Sequence, residues 1–132
     1  MFRIKQIDHV ALTVKDVERA VAWYRDVLGL ERRHEEVWGG VPAMMFAGET
    51  GIALFPAESS DPAPAPEHSN ATVMRHLAFQ VDRRNFDRAQ IEFSARGIPF
   101  TFEDHDIAQS IYFQDLDGYE IELTTYEVDE AA

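Results

Sequence analysis

The sequence predicts an α+β fold built from two tandem βαβββ modules. Three observations predict it: a strand–helix–three-strand pattern that runs twice along the chain, a proline-rich stretch between the two runs, and landmarks that recur at a nearly constant interval. Ile7-Asp8-His9-Val10-Ala11-Leu12-Thr13-Val14 lies over Met74-Arg75-His76-Leu77-Ala78-Phe79-Gln80-Val81, with the two histidines 67 residues apart. The glycines that follow the two helices, Gly29 and Gly97, are 68 apart, and Ile52-Ala53-Leu54 lies over Ile121-Glu122-Leu123 at an interval of 69. Three separate landmarks agree within two residues. They set the halves in register although identity between them is low.

Each element has its own signal. Residues 3–14 read as a strand, with Ile7, Val10, Leu12 and Val14 apolar and β-favouring. Asp16 is placed to cap a helix that runs to Leu28, whose inward stripe is Val17, Ala20, Val21, Tyr24, Val27 and Leu28. Gly29 supplies the left-handed stop. Strands follow near 31–38, 42–47 and 51–56, separated by turns at Gly39-Gly40 and Gly48-Glu49-Thr50-Gly51. From Ala57 the composition shifts to Ala, Ser and Pro, which suits neither helix nor central strand. The pattern then restarts: a strand over 73–81, a helix over about 83–96 with Phe86, Ala89, Gln90 and Phe93 on one stripe, Gly97 as its stop, and strands near 99–103, 110–114 and 119–126. The organisation is therefore a first module over 1–57, a linker over 58–72 and a second module over 73–132.

Composition narrows the functional classes. In 132 residues, 45% are apolar and 11% aromatic, enough for a packed core and against a disordered chain. The formal charge is −12, a surface that repels phosphate backbones and anionic headgroups, so no nucleic acid and no membrane partner is expected. With no cysteine, disulfides, thiolate ligands and a cysteine nucleophile are all excluded. The N-terminus lacks an uninterrupted apolar stretch of signal length, and a cytoplasmic location is the expectation.

A constellation emerges from the repeat. Both first strands carry a histidine at the same place, His9 and His76, and the last strands offer Ala53 in one half and Glu122 in the other. If the halves pack about a pseudo-two-fold axis, these positions converge as two imidazoles, one carboxylate and one silent site. Such a set suits Fe(II), Mn(II), Zn(II) or Co(II) and leaves coordination positions open to substrate. Taken singly, each residue also has a structural explanation: a strand histidine is commonly a satisfied core or surface residue, and Glu122 could be an outward carboxylate of its alternating strand.

Asp8-His9-Val10-Ala11-Leu12-Thr13-Val14, Trp23-Tyr24 through Leu28-Gly29-Leu30, Arg75-His76-Leu77-Ala78-Phe79, and Ile111-Tyr112-Phe113-Gln114-Asp115-Leu116-Asp117-Gly118-Tyr119-Glu120-Ile121-Glu122-Leu123 together resemble the vicinal oxygen chelate superfamily, also called glyoxalase/bleomycin-resistance/dioxygenase. The resemblance covers nearly the whole chain, in order. It implies paired modules forming a cupped mixed β-sheet around a metal, helices outside, with His9, His76 and Glu122 at the ligand positions. It also implies a small-molecule substrate chelated through two oxygens, and a homodimer in which the modules pair within a chain or swap between chains.

Departures from the family patterns sort the activities. Glyoxalase I resembles this chain but has a glutamate ligand where Ala53 stands, which weighs against lactoylglutathione lyase activity. Fosfomycin-resistance enzymes share two histidines and a glutamate, yet hold a phosphonate with basic residues that 102–109 lacks. Extradiol dioxygenases fit through His105, Ile111-Tyr112, Asp115, Gly118 and Glu122, although Leu116 stands where proline is expected. The leading expectation is a metal-dependent enzyme on a small oxygenated molecule, of extradiol-dioxygenase type. The alternatives are a fosfomycin-resistance-like transferase or hydrolase, a lyase or isomerase, and a non-enzymatic protein that sequesters an apolar ligand.

His105 and Tyr112 are the candidates for acid–base work beside the metal. Ser110 and Gln114 are read as alternating with Tyr112, so that only one set faces the cavity. His34 and His68 are assigned to the surface, Arg83 and Arg84 to a solvent-facing helix start, and Trp23 and Tyr24 to the core. Trp38, Met44, Met45 and Phe46 are apolar-pocket candidates that packing explains as well.

Overall fold

A computed structural model describes residues 1–128 and divides the chain into two compact units, Met1–Ala63 and Pro64–Ala132. The end of the second module as read from the sequence, 129–132, lies outside the described residues.

The first unit runs β1 (His9–Val14), α1 (Val17–Leu28), β2 (Glu31–Arg33), β3 (Ala43–Ala47) and β4 (Thr50–Pro56). Its sheet has the order β1-β4-β3-β2, with β1 parallel to β4 and the other pairs antiparallel. The second unit repeats this with β5 (Leu77–Gln80), α2 (Arg83–Arg96), β6 (Thr101–Asp104), β7 (Gln109–Gln114) and β8 (Glu120–Thr125), in the order β5-β8-β7-β6. The α+β class and the doubled βαβββ pattern are both present.

The helices form where the caps dictate. Asp16 accepts from the Arg19 amide and Asp82 from the Asn85 amide, each satisfying a first-turn donor that the helix leaves open. Gly29 and Gly97 end them in the left-handed conformation, both at φ 70°. Ala20, Val21 and Tyr24 are the buried stripe of α1, which packs on β3 and β4. In α2 the stripe shrinks to Phe86 and Phe93, the latter edge-on to Phe113 of β7 with centroids 4.8 Å apart. Burying two such rings stabilises the unit by about 1.5–3 kcal/mol each.

Three strands are shorter than their sequence signals. The expected strand over 3–14 begins only at His9, because its parallel partner β4 begins at Thr50 and pairs His9 with Gly51. Ahead of it Gln6 and Ile7 are tied to the β3–β4 turn by single hydrogen bonds to Glu49 and from Thr50. The strand over 31–38 stops at Arg33, since His34 takes φ 63° and turns the chain into a loop that holds Gly39 and Gly40. The strand over 73–81 is reduced to Leu77–Gln80, which leaves His76 at its lip.

Register sorts each sheet into two faces. In the second unit Ile111, Phe113, Ile121 and Leu123 form a buried apolar face toward α2. The opposite face carries Ser110, Tyr112 and Gln114 of β7 and Glu120, Glu122 and Thr124 of β8. In the first unit Leu12, Val14, Met45, Ile52 and Leu54 are the buried set, and His9, Ala11 and Thr13 project from the other side of β1. The two sheets also share an internal register: Ala11 pairs with Ala53, and Ala78 pairs with Glu122.

Candidate metal centre

The second unit brings four of the five predicted site residues together. His76 stands immediately before β5, level with the start of β8, and its Nε2 lies 2.9 Å from Oε1 of Glu122. Glu122 is only 7% exposed, and its second oxygen accepts a 2.7 Å hydrogen bond from the hydroxyl of Ser110, itself fully buried. Thr124 Oγ1 lies 3.0 Å behind Ser110 Oγ. A carboxylate taken out of water requires such partners, because desolvating an unpaired charge is costly.

Tyr112 lies directly across from Glu122 in the β7–β8 ladder. Its ring meets that of His76 edge-on at 5.7 Å, and its hydroxyl is 3.0 Å from Nε2 of His105. That imidazole, at the turn after β6, also lies 3.6 Å from the Glu103 carboxylate. Burial pushes the Tyr112 phenol above its ordinary range, and the charges of Glu122 and Glu103 push it further. The phenol therefore stays protonated and able to donate at neutral pH.

The faces correct one expectation. Ser110 and Gln114 do not alternate with Tyr112. They lie two positions either side of it, share its face, and pair across the ladder with Thr124 and Glu120. Ser110 is thus a partner of Glu122, a role that the strand period could have revealed. The β7–β8 turn that holds this register is tied by Asp115, whose carboxylate accepts from the amides of Asp117 and Tyr119, both at 2.9 Å. Gly118 takes φ 88° in the same turn. Asp115 is structural here.

His68 also differs from its surface assignment. Its side chain is 30% exposed, and Nε2 is 2.7 Å from the Glu120 carboxylate, which ties the connecting segment to the edge of this polar face. His34 is exposed and packs edge-on against Trp38 and Phe46. Arg83 is less exposed than a solvent-facing residue, bridging to Asp87 at 2.6 Å and to Gln109 at 2.8 Å. Tyr24 and Met45 are core, whereas Trp38 is 52% exposed and lines no interior.

In the first unit, His9 projects from β1 with Nδ1 2.8 Å from the Asp8 carboxylate. A carboxylate on one ring nitrogen favours the tautomer that offers the other, Nε2, as a lone-pair donor, the usual arrangement behind a metal-bound imidazole. Ala53, which pairs with Ala11 and Met44, is buried and offers no donor.

The donor chemistry fits a divalent metal. His76 Nε2 and Glu122 Oε1 are in direct contact at 2.9 Å, and two ligands at about 2.1 Å and a right angle on an octahedral ion lie about 3.0 Å apart. Within either unit, no group of three or more His, Asp and Glu side chains forms a metal cage among the described residues. A metal held by the His76–Glu122 pair would take two ligands from it and the rest of its coordination shell from elsewhere.

The comparisons with known proteins agree with the repeat. The model of the glyoxalase/bleomycin resistance protein/dioxygenase superfamily matches residues 6–123. The chain is 31% identical over 131 residues to a metallothiol transferase, FosB, of Staphylococcus epidermidis, covering 92% of this chain and 82% of that protein. It is 26% identical to a glutathione transferase, FosA, of Serratia marcescens, covering 91% and 80%. Among solved structures, a glyoxalase/dioxygenase from Nostoc punctiforme superposes with a TM-score of 0.77 at 26% identity, over 92% of this chain and 90% of that one. With the doubled fold, the matching registers and this coverage, the chain belongs to the glyoxalase/bleomycin resistance protein/dioxygenase superfamily.

Proposed function

We propose that the chain is a metal-dependent enzyme that joins a thiol to a small oxygenated substrate, with His9, His76 and Glu122 as metal ligands. The observation that carries it is the buried Glu122 carboxylate, set 2.9 Å from His76 and aligned by Ser110. The transferase relatives favour this reaction over the ring-cleaving oxygenation that leads the sequence reading. Two imidazoles and one carboxylate suit Mn(II), Fe(II) or Zn(II). When bound, the ion supplies Lewis acidity to a substrate oxygen.

The chain's own residues supply the rest. Tyr112 faces the same side as Glu122 and keeps its proton, so its hydroxyl is placed to donate to an oxygen at the site. His105, 3.0 Å behind it, passes a replacement proton through Nε2. The thiol enters as its thiolate, having given its proton to solvent; as the sulfur–carbon bond forms and the carbon–oxygen bond breaks, the freed oxygen takes the Tyr112 proton, and His105 returns a proton from solvent to Tyr112. His9 is the third ligand, from the same chain or, in a homodimer of swapped modules, from a partner. A cytoplasmic setting, where thiol co-substrates are abundant, suits this chemistry.

The test pairs elemental analysis with a thiol-conjugation assay. Protein loaded with Mn(II), Fe(II) or Zn(II) is expected to hold about one ion per chain and to form adducts of glutathione or cysteine with epoxide substrates, read by mass. Glu122→Ala should lose ion and adduct together. Adduct formation that survives chelation, or full metal occupancy in Glu122→Ala, overturns the reading.

A further inference from the structure

The charges on the unit-2 wall of this site say what its substrate is not. The four strands of unit 2 contain no lysine or arginine at any position. On the face that carries Glu122, register places two further carboxylates, Glu103 on β6 and Glu120 on β8. Unit 2 has five arginines among its described residues. Four of them, Arg83, Arg84, Arg88 and Arg96, belong to α2, which packs on the sheet from the opposite, apolar side. The fifth, Arg75, is exposed ahead of β5, where Glu67 feels its charge. A divalent ion held by one carboxylate keeps a single positive charge; Glu103 and Glu120 add two negative ones to the same face, with the His105 and His68 imidazoles beside them at 3.6 and 2.7 Å.

We infer that the substrate group bound at this site is uncharged, a neutral oxygen pair or epoxide, and that phosphonate and phosphate dianions are rejected. A dianion needs converging donors such as arginine forks, lysines or helix N-termini, and facing like charges costs binding rather than adding to it. This inference rests on the metal reading above. It separates the chain from the phosphonate-holding fosfomycin-resistance enzymes that the sequence resembles.

The test uses Mn(II)-loaded protein and water-proton relaxation of the bound ion, titrated with methylphosphonate and with pyridine N-oxide, an oxygen donor that carries no net charge free or bound. Each affinity is divided by that ligand's affinity for aqueous Mn(II). The normalised affinity for methylphosphonate is expected to fall more than about tenfold below that for pyridine N-oxide. Raising KCl from about 20 mM to about 300 mM should narrow the gap, because salt screens repulsion between exposed charges. Equal or tighter normalised binding of methylphosphonate, or a gap that widens with salt, overturns the inference. Failure of Mn(II) to bind at all is a separate result, visible before any ligand is added, and removes the metal reading and this inference together.

Discussion

At the residue scale, the site depends on a few side chains whose partners are now fixed. Ser110 is not one of the proposed ligands, yet its hydroxyl sets the orientation of Glu122. Ser110→Ala should therefore weaken metal affinity by about 10–100-fold, the usual effect of losing a group behind a ligand, while global stability changes by about 1 kcal/mol. Titration calorimetry and thermal melts of the metal-free protein check the two halves of that expectation separately. Tyr112 gives a test that needs no metal. Its folded-state pKa is raised, so the neutral phenol stabilises the fold below the ordinary tyrosine range near 10, and that stability is lost as pH climbs through the raised value. Absorbance titration of the phenolates should show a step above the ordinary range that Tyr112→Phe removes; an unchanged titration curve contradicts the burial and charge account. His105 and Tyr112 were legible as candidates from the motif order, but their 3.0 Å contact was not, because nothing in the sequence aims a turn residue at a strand residue.

At the element scale, caps and registers convert pattern into position. Asp82→Ala removes the acceptor for the Asn85 amide and should lower stability by about 1 kcal/mol in denaturant unfolding. The β7–β8 turn matters more to the site than its distance suggests, since it sets Tyr112 opposite Glu122. Asp115→Ala breaks two amide hydrogen bonds, each worth about 1 kcal/mol, and lets the pair slip. Metal affinity and stability should fall together, whereas Ser110→Ala should separate them. Three helix ends were readable because capping is local chemistry of Asp16, Gly29 and Gly97; the Asp82 cap at the start of α2 is a finding of the structure. Strand ends were not. His9 and Leu77 begin their strands where the parallel partners begin, a non-local condition that apolar alternation over 3–14 or 73–81 does not contain.

At the scale of the whole molecule, two units of similar design carry unequal chemistry. Ala53 and Glu122 pair with Ala11 and Ala78 in matching registers, so one scaffold position carries a carboxylate in only one unit. A metal that binds the folded chain should raise the melting temperature with concentration, by about 2.7 kcal/mol of stabilisation at a hundred times its dissociation constant. Differential scanning across a Mn(II) series, with Glu122→Ala as the control that should show no shift, checks it. Among the described residues no helix is long and apolar enough to cross a membrane, and the net charge of −12 sets the surface apart from a polyanion binder.

By itself the sequence determined the doubled βαβββ pattern, both helices with the Asp16, Gly29 and Gly97 caps, and the equivalence of His9 with His76 and of Ala53 with Glu122. These follow from short-range periodicity and from a repeat interval that counting can detect. Only the tertiary structure decided that Ser110, Tyr112 and Glu122 share one face, that His76 lies within contact of Glu122, and that His68 reaches Glu120. Those are contacts between residues that stand 10 to 52 positions apart. Their geometry comes from strand pairing and desolvation, which act across the chain and not along it.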